Sequence, residues 1–69
     1  MKIISEITGT VWKVEVQPGQ SVAAGDNLLI VESMKMEIPV TSEAAGRVKE
    51  ILVAEGEVVE DGQVLLILE

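Results

Sequence analysis

The chain has no cysteine and no histidine. Without cysteine no disulfide can staple the fold, and the redox compartment is left undetermined. Without histidine its four serines lack the usual base for nucleophilic catalysis. Lacking both, it could bind a metal only through carboxylates, and no calcium-loop spacing is present. No metal ligand and no catalytic residue is assigned. Phenylalanine and tyrosine are also missing, and Trp12 is the sole aromatic residue. Cations are few: five Lys and Arg stand against twelve Asp and Glu, for a net charge of −7. That balance is the reverse of the basic stripe a nucleic-acid binder needs, and no aromatic set is available for base stacking. The charge is read as a solubilising surface. The longest apolar run, Val64–Leu68, is far shorter than a membrane span. The apolar run before Ser5 and Glu6 is only Ile3-Ile4, which is not a signal-peptide pattern, so the expected compartment is the cytoplasm. Neither glycine-rich phosphate-binding spacing occurs. Glu57, Glu60 and Asp61 form an acidic cluster, but without a second partner they are read as a solvated face.

What is present is aliphatic and patterned in twos. Sixty-nine residues predict one small domain over 1–69. Thr10–Val16 alternates, with Val11, Lys13 and Glu15 interleaved with Trp12, Val14 and Val16, as in a half-buried strand. Leu28–Val31 and Val64–Leu68 are short apolar runs that read as buried strands. Arg47–Val53 is a further strand whose imperfect alternation points to a bulge or twist. Ser21-Val22 and Val58-Val59 are the centres of very short strands. Gly19, Gly25, Gly56 and Gly62 punctuate the chain at turns that need positive φ. No helical period extends over ten residues.

The strongest signal is an internal repeat. Shifting the chain by 37 positions, without a gap, superposes Ser5 on Ser42, Gly9 on Gly46, Val11 on Val48 and Val16 on Val53. Gly19, Val22 and Gly25 meet Gly56, Val59 and Gly62, and Leu28-Leu29-Ile30 meets Leu65-Leu66-Ile67. The halves are residues 1–32 and 38–69. Two equivalent halves of four short strands predict an all-β flattened barrel or sandwich of two four-stranded antiparallel sheets with an internal two-fold. Ser33–Glu37 falls outside the repeat and is expected as a five-residue hairpin tip close to the symmetry axis. Pro39, just beyond, predicts an edge strand or an outward-facing nitrogen. Lys35 is the centre of that tip, flanked by Met34 and Met36, the only methionines besides the first residue. Apolar side chains are poor choices for an exposed tip unless they pack inward or are read by another molecule.

These residues carry a resemblance. Met34-Lys35-Met36 within Glu32-Ser33-Met34-Lys35-Met36 resembles the attachment motif of biotinyl domains, the biotin carboxyl carrier proteins. It does so at the centre of the same two-half organisation, and the match extends over nearly the whole chain. The small stand-alone biotin/lipoyl attachment proteins are the most similar type. The resemblance implies biotin as covalent cofactor on Lys35, with Met34 and Met36 as flanking recognition residues. It implies no catalytic role for the domain. A biotin protein ligase is the implied loading partner, and biotin carboxylase and carboxyltransferase the working partners. The domain alone is expected to be monomeric. Lipoyl domains share the fold but usually carry an acidic residue before the lysine and a small one after it. Met34 and Met36 favour biotin, with a lipoyl or dual carrier as the alternative. An unmodified interaction module is disfavoured because Trp12 is the only large anchor. The gap-free repeat leaves no room for the protruding loop of some acetyl-CoA carboxylase carriers. Ser33 stands where alanine is common in the family. A start near the first strand, with no Ala/Pro linker, suggests a complete protein.

Overall fold

A computed structural model describes all residues from Met1 to Glu69. It contains eight strands and no helix: β1 (Lys2–Ile4), β2 (Gly9–Val14), β3 (Ser21–Val22), β4 (Asn27–Ser33), β5 (Met36–Thr41), β6 (Gly46–Ile51), β7 (Val58–Val59) and β8 (Val64–Leu68). They form two four-stranded sheets, in the orders β1-β8-β6-β3 and β5-β4-β2-β7, with every neighbour antiparallel. A shift of 37 residues carries the first order onto the second. The expected architecture is therefore the observed one.

The halves are interleaved rather than stacked. Only β2–β4 and β6–β8 join strands of one half; the other four pairings cross between halves. The turns cross as well. The Gly19 N–H donates to the Val48 carbonyl at 2.7 Å, and its mate Gly56 N–H donates to the Val11 carbonyl at 2.7 Å. Thirteen buried apolar residues make the core. Twelve of these pair up under the 37-residue shift, as Val11 with Val48, Leu28 with Leu65 or Val31 with Leu68. Ile3 is the thirteenth, and its mate Val40 packs against the core half-buried. Each half alone keeps a single two-stranded pairing and about half of the core. The only buried polar side chains, Ser5 and Ser42, are also mates. Their hydroxyls donate to the Ile7 and Ala44 carbonyls, two residues on, so neither is left unpaired.

The turn glycines Gly19, Gly25, Gly56 and Gly62 have φ of 89°, 91°, 90° and 90°. A Cβ at any of them would meet nothing within 4 Å. Substitution there is opposed by backbone conformation alone. Gly→Val at each is expected to cost about 1–3 kcal/mol, read from thermal melts. Four variants melting like the parent would refute the role of φ.

Two sequence expectations need correction. The alternation over Thr10–Val16 is broken: Val11 pairs with Val31 and Lys13 with Ile30, so Trp12 is an extra residue in a bulge. The ladder ends at Val14. The bulge lets Val11 and Val16, five residues apart, both enter the core. It also turns Trp12 outward, half exposed. The same bulge recurs at Lys49, between Val48 and Glu50, where imperfect alternation points to one. The second correction concerns Ser33–Glu37. Its symmetry mate is the place where the chain ends meet, since Val31 faces Ile38 while their mates Leu68 and Met1 bond to each other. The hairpin and the paired termini thus lie on opposite sides of the axis, in a body 30 Å long and 19 × 18 Å across. Residues related by a two-fold are on the axis only if they coincide with their mates, and these do not.

Edge strands β1 and β5 face each other across an unbonded seam. There a groove of about 590 Å³ runs between Lys2, Ile3 and Ile4 on one wall and Pro39, Val40 and Thr41 on the other. Pro39 is on an edge strand, as expected from its missing N–H. Of the acidic cluster, Asp61 lines this groove while Glu57 and Glu60 do not. The Glu57 carboxylate instead accepts from the Ala54 N–H at 3.3 Å within its own turn.

Candidate functional site: a lysine on a two-residue hairpin turn

The hairpin begins in the core. β4 is an inner strand, paired with β2 on one side and β5 on the other, and its Leu28, Leu29 and Val31 are fully buried. β4 keeps its β2 partner as far as Glu32, which faces Thr10, and beyond it only the β4–β5 ladder continues. Glu32 faces Glu37 and Ser33 faces Met36, which closes the ladder. The turn consists of Met34 and Lys35 alone. The five-residue tip expected from the repeat is thus too long, because Ser33, Met36 and Glu37 are ladder residues.

Met34 has φ of 52° and Lys35 of 64°, and no other non-glycine residue has positive φ. Left-handed φ at both central positions marks a type I′ turn, whose twist matches that of the flanking strands. Such turns favour Asn-Gly. Side chains with a Cβ pay roughly 1–2 kcal/mol per residue to enter this region. The ladder below offsets that cost. A brace adds to it: the Ser33 hydroxyl donates to the Thr8 carbonyl at 3.0 Å, tying the hairpin base to the loop before β2. Strain held at two adjacent residues by a well-determined scaffold is a mark of a functional position.

All three tip side chains are exposed. Met34 is 91% and Met36 63% accessible, and Lys35 is exposed. The methionines do not fill the core, and the lysine amine can be acylated without loss of packing. The structure brings Met34, Lys35 and Met36 together at one end of the body. Their geometry therefore suits a covalent group that another protein must recognise and reach. Sequence reasoning missed Ser33 as the brace and the left-handed turn itself. A serine one residue before an exposed apolar tip was the available signal for the first. Nothing local announces the second.

A family model described as "Biotin-requiring enzyme" matches residues 2–68. The chain belongs to that family. It is accordingly a biotin-attachment domain, homologous to the carrier domains of carboxylases. Family members of similar size include the biotin/lipoyl attachment protein of Bacillus subtilis, 43% identical over 66 residues, covering 96% of this chain and 90% of that one. The biotinylated protein TB7.3 homolog of Mycobacterium leprae is 39% identical over 64 residues, covering 93% and 90%. Much larger members embed the same unit. In the urea carboxylase of Kluyveromyces lactis a match covers all of this chain and 6% of that chain, at 36% identity and a TM-score of 0.94. Membership bears out the resemblance and the biotin cofactor, and gives the lipoyl alternative no better support.

Proposed function

We propose that this protein carries biotin in amide linkage to Lys35 and presents it to the active sites of a carboxylase. The observation that supports this reading is the exposed lysine at the strained tip of a core-anchored hairpin. Lys2 lies in β1, Lys13 in β2 and Lys49 in β6, all on sheet surfaces rather than at a turn.

The chain's own contribution is chemical and geometric. In loading, Lys35 Nζ attacks the acyl carbon of biotinyl adenylate. The C–N amide bond forms, the nitrogen loses its proton, and AMP departs with the electron pair of the broken C–O bond. The chain has no histidine or cysteine to take that proton, so the base belongs to the ligase. Met34 and Met36 give the ligase soft apolar surface on both sides of the amine. The ladder and the Ser33 brace hold the Lys35 backbone in one place, as a site built on rigid elements should. Once bound, biotin supplies the chemistry of accepting and releasing a carboxyl group, and the protein supplies its position.

Incubation with a biotin protein ligase, ATP and biotin is expected to add one biotinyl group, mapped by peptide mass to Lys35. Label on Lys2, Lys13 or Lys49 with none on Lys35 would overturn the reading. The methionines allow a separate check. Met34→Ala and Met36→Ala are expected to change stability by no more than about 0.5 kcal/mol, as exposed positions do. A buried methionine would cost about 2–5 kcal/mol. The loss should appear in ligase kinetics. A large drop in Tm with normal kinetics would show the methionines to be structural.

A further inference from the structure

The two outer sheet faces are symmetry mates in fold but not in chemistry. Each position on one can be compared with its mate 37 residues away. On the β5-β4-β2-β7 face stand Trp12, Val58, Thr10 and Pro39. Their mates on the other face are Lys49, Ser21, Arg47 and Lys2, which include three of the five cations. Val11, Val31 and Val59 point inward and are fully buried, so their strand neighbours face outward. Trp12 is 50% and Val58 65% exposed, although both are large and apolar. Val58 faces Thr10, two residues before the Trp12 bulge, and Ile30 lies between Lys13 and Pro39. A bulge re-aims a side chain, and here it aims the only aromatic residue into solvent. Nothing in the fold requires this, because lysine serves at the equivalent bulge.

This face also belongs to the hairpin. Trp12 falls between the rows of Val31 and Ile30, three to four residues before the turn, or roughly 10–14 Å along the strand. An interface of standard size covers about 800 Å² on each partner, a disc of roughly 16 Å radius. A protein seated on the tip from this side therefore covers Trp12. Reach decides which protein must sit so close. The bare lysine extends only about 6 Å from its backbone, whereas the loaded arm extends about 14 Å. Enzymes that act on the biotin ring can work at the end of the longer arm. The enzyme that loads the bare amine must bring its catalytic centre down onto the hairpin. Glu32 and Glu37 face each other beside the apolar patch, so the complementary surface is an apolar cleft with a cationic rim.

We propose that the outer face of the β5-β4-β2-β7 sheet, anchored by Trp12, is where a biotin protein ligase docks to reach Lys35. This rests on the assignment of Lys35 above. Because the indole is unique, 5-fluorotryptophan gives a single fluorine resonance. In the Lys35→Arg protein, which cannot turn over, that resonance is expected to shift or broaden when ligase, biotin and ATP are added. In steady-state loading, Trp12→Ala should lower kcat/KM at least tenfold, through KM, with kcat retained. Lys49→Ala, the symmetry-mate control, should stay within twofold of the parent. A resonance unmoved at saturating ligase overturns the proposal, as does a Trp12→Ala KM within twofold of the parent. A resonance that moves with protein concentration alone assigns the face to a second copy and overturns it too. If the parent itself takes no biotin, the assignment of Lys35 fails. If the parent and Trp12→Ala load alike, only the docking face fails.

Discussion

Lys35→Arg is expected to take up no biotin at all, while melting as the parent does. Arginine keeps a positive charge and a long flexible stem at the tip, so solvation there is little changed. Its guanidinium stays protonated at any working pH, and with no free amine it cannot attack an acyl carbon. No other lysine should compensate, because none sits on a turn. The backbone penalty is common to both residues, since each has a Cβ and must adopt a φ near 64°. Stability should therefore change by no more than about 0.5 kcal/mol, a Tm shift of at most about 4 °C in a domain of this size. Intact mass after exhaustive ligase treatment reads the first quantity and a thermal melt reads the second. Residual label in the variant would mean that a second lysine is accepted. A fall in Tm well beyond that shift would mean that the lysine stem packs where the structure shows it exposed.

The second large effect is expected at Gly9, where φ is not the issue. A Cβ there would stand 2.5 Å from the Glu32 carbonyl oxygen and 2.8 Å from Val31 Cγ1. One obstacle is backbone of the hairpin ladder, one rung from its closing pair, and the other belongs to a fully buried core residue. Neither can move without loss of pairing or packing. Gly9→Ala is therefore expected to cost about 3 kcal/mol, at the upper end for overpacking, and to lower Tm by roughly 15 °C. For a domain this small that is much of its stability. The symmetry mate provides the control. At Gly46 the same Cβ would meet the Glu69 carbonyl oxygen at 3.0 Å. The next atom, Leu68 Cβ, is 3.7 Å away, so a shift of a few tenths of an ångström suffices and Gly46→Ala should cost distinctly less. Equal melting of the two variants would refute the argument. Gly9 also sits where β2 crosses the hairpin base, so loading of any folded Gly9→Ala protein should be slowed as well.

Much of this architecture is legible in the amino-acid sequence. Ser21-Val22, Val58-Val59 and Val64–Leu68 are strands at their expected positions because glycine turns bound them so closely that no other length fits. The four turn glycines are legible because a residue that must take positive φ leaves a local mark. The tip residues Met34, Lys35 and Met36 stand out because the repeat excludes them. What is not legible depends on partners distant in sequence. The Trp12 bulge is a mismatch between β2 and β4, and alternation within β2 cannot show it. The turn is two residues long because the β4–β5 ladder continues past the core, and Met-Lys does not advertise a primed turn. Gly9 is visible as a repeat partner of Gly46, but its crowding by Glu32 arises only when β4 arrives beside it.

The pairing of the chain ends has a mechanical consequence. Met1 and Leu68 are bonded side by side, at the end of the body away from Lys35. Any polypeptide joined to either end would leave from that one spot, like a cord from the handle of a pendulum. The folded body, 30 Å long, then becomes part of the swing. A short flexible cord would let the whole domain sweep the lysine through an arc set by its own length.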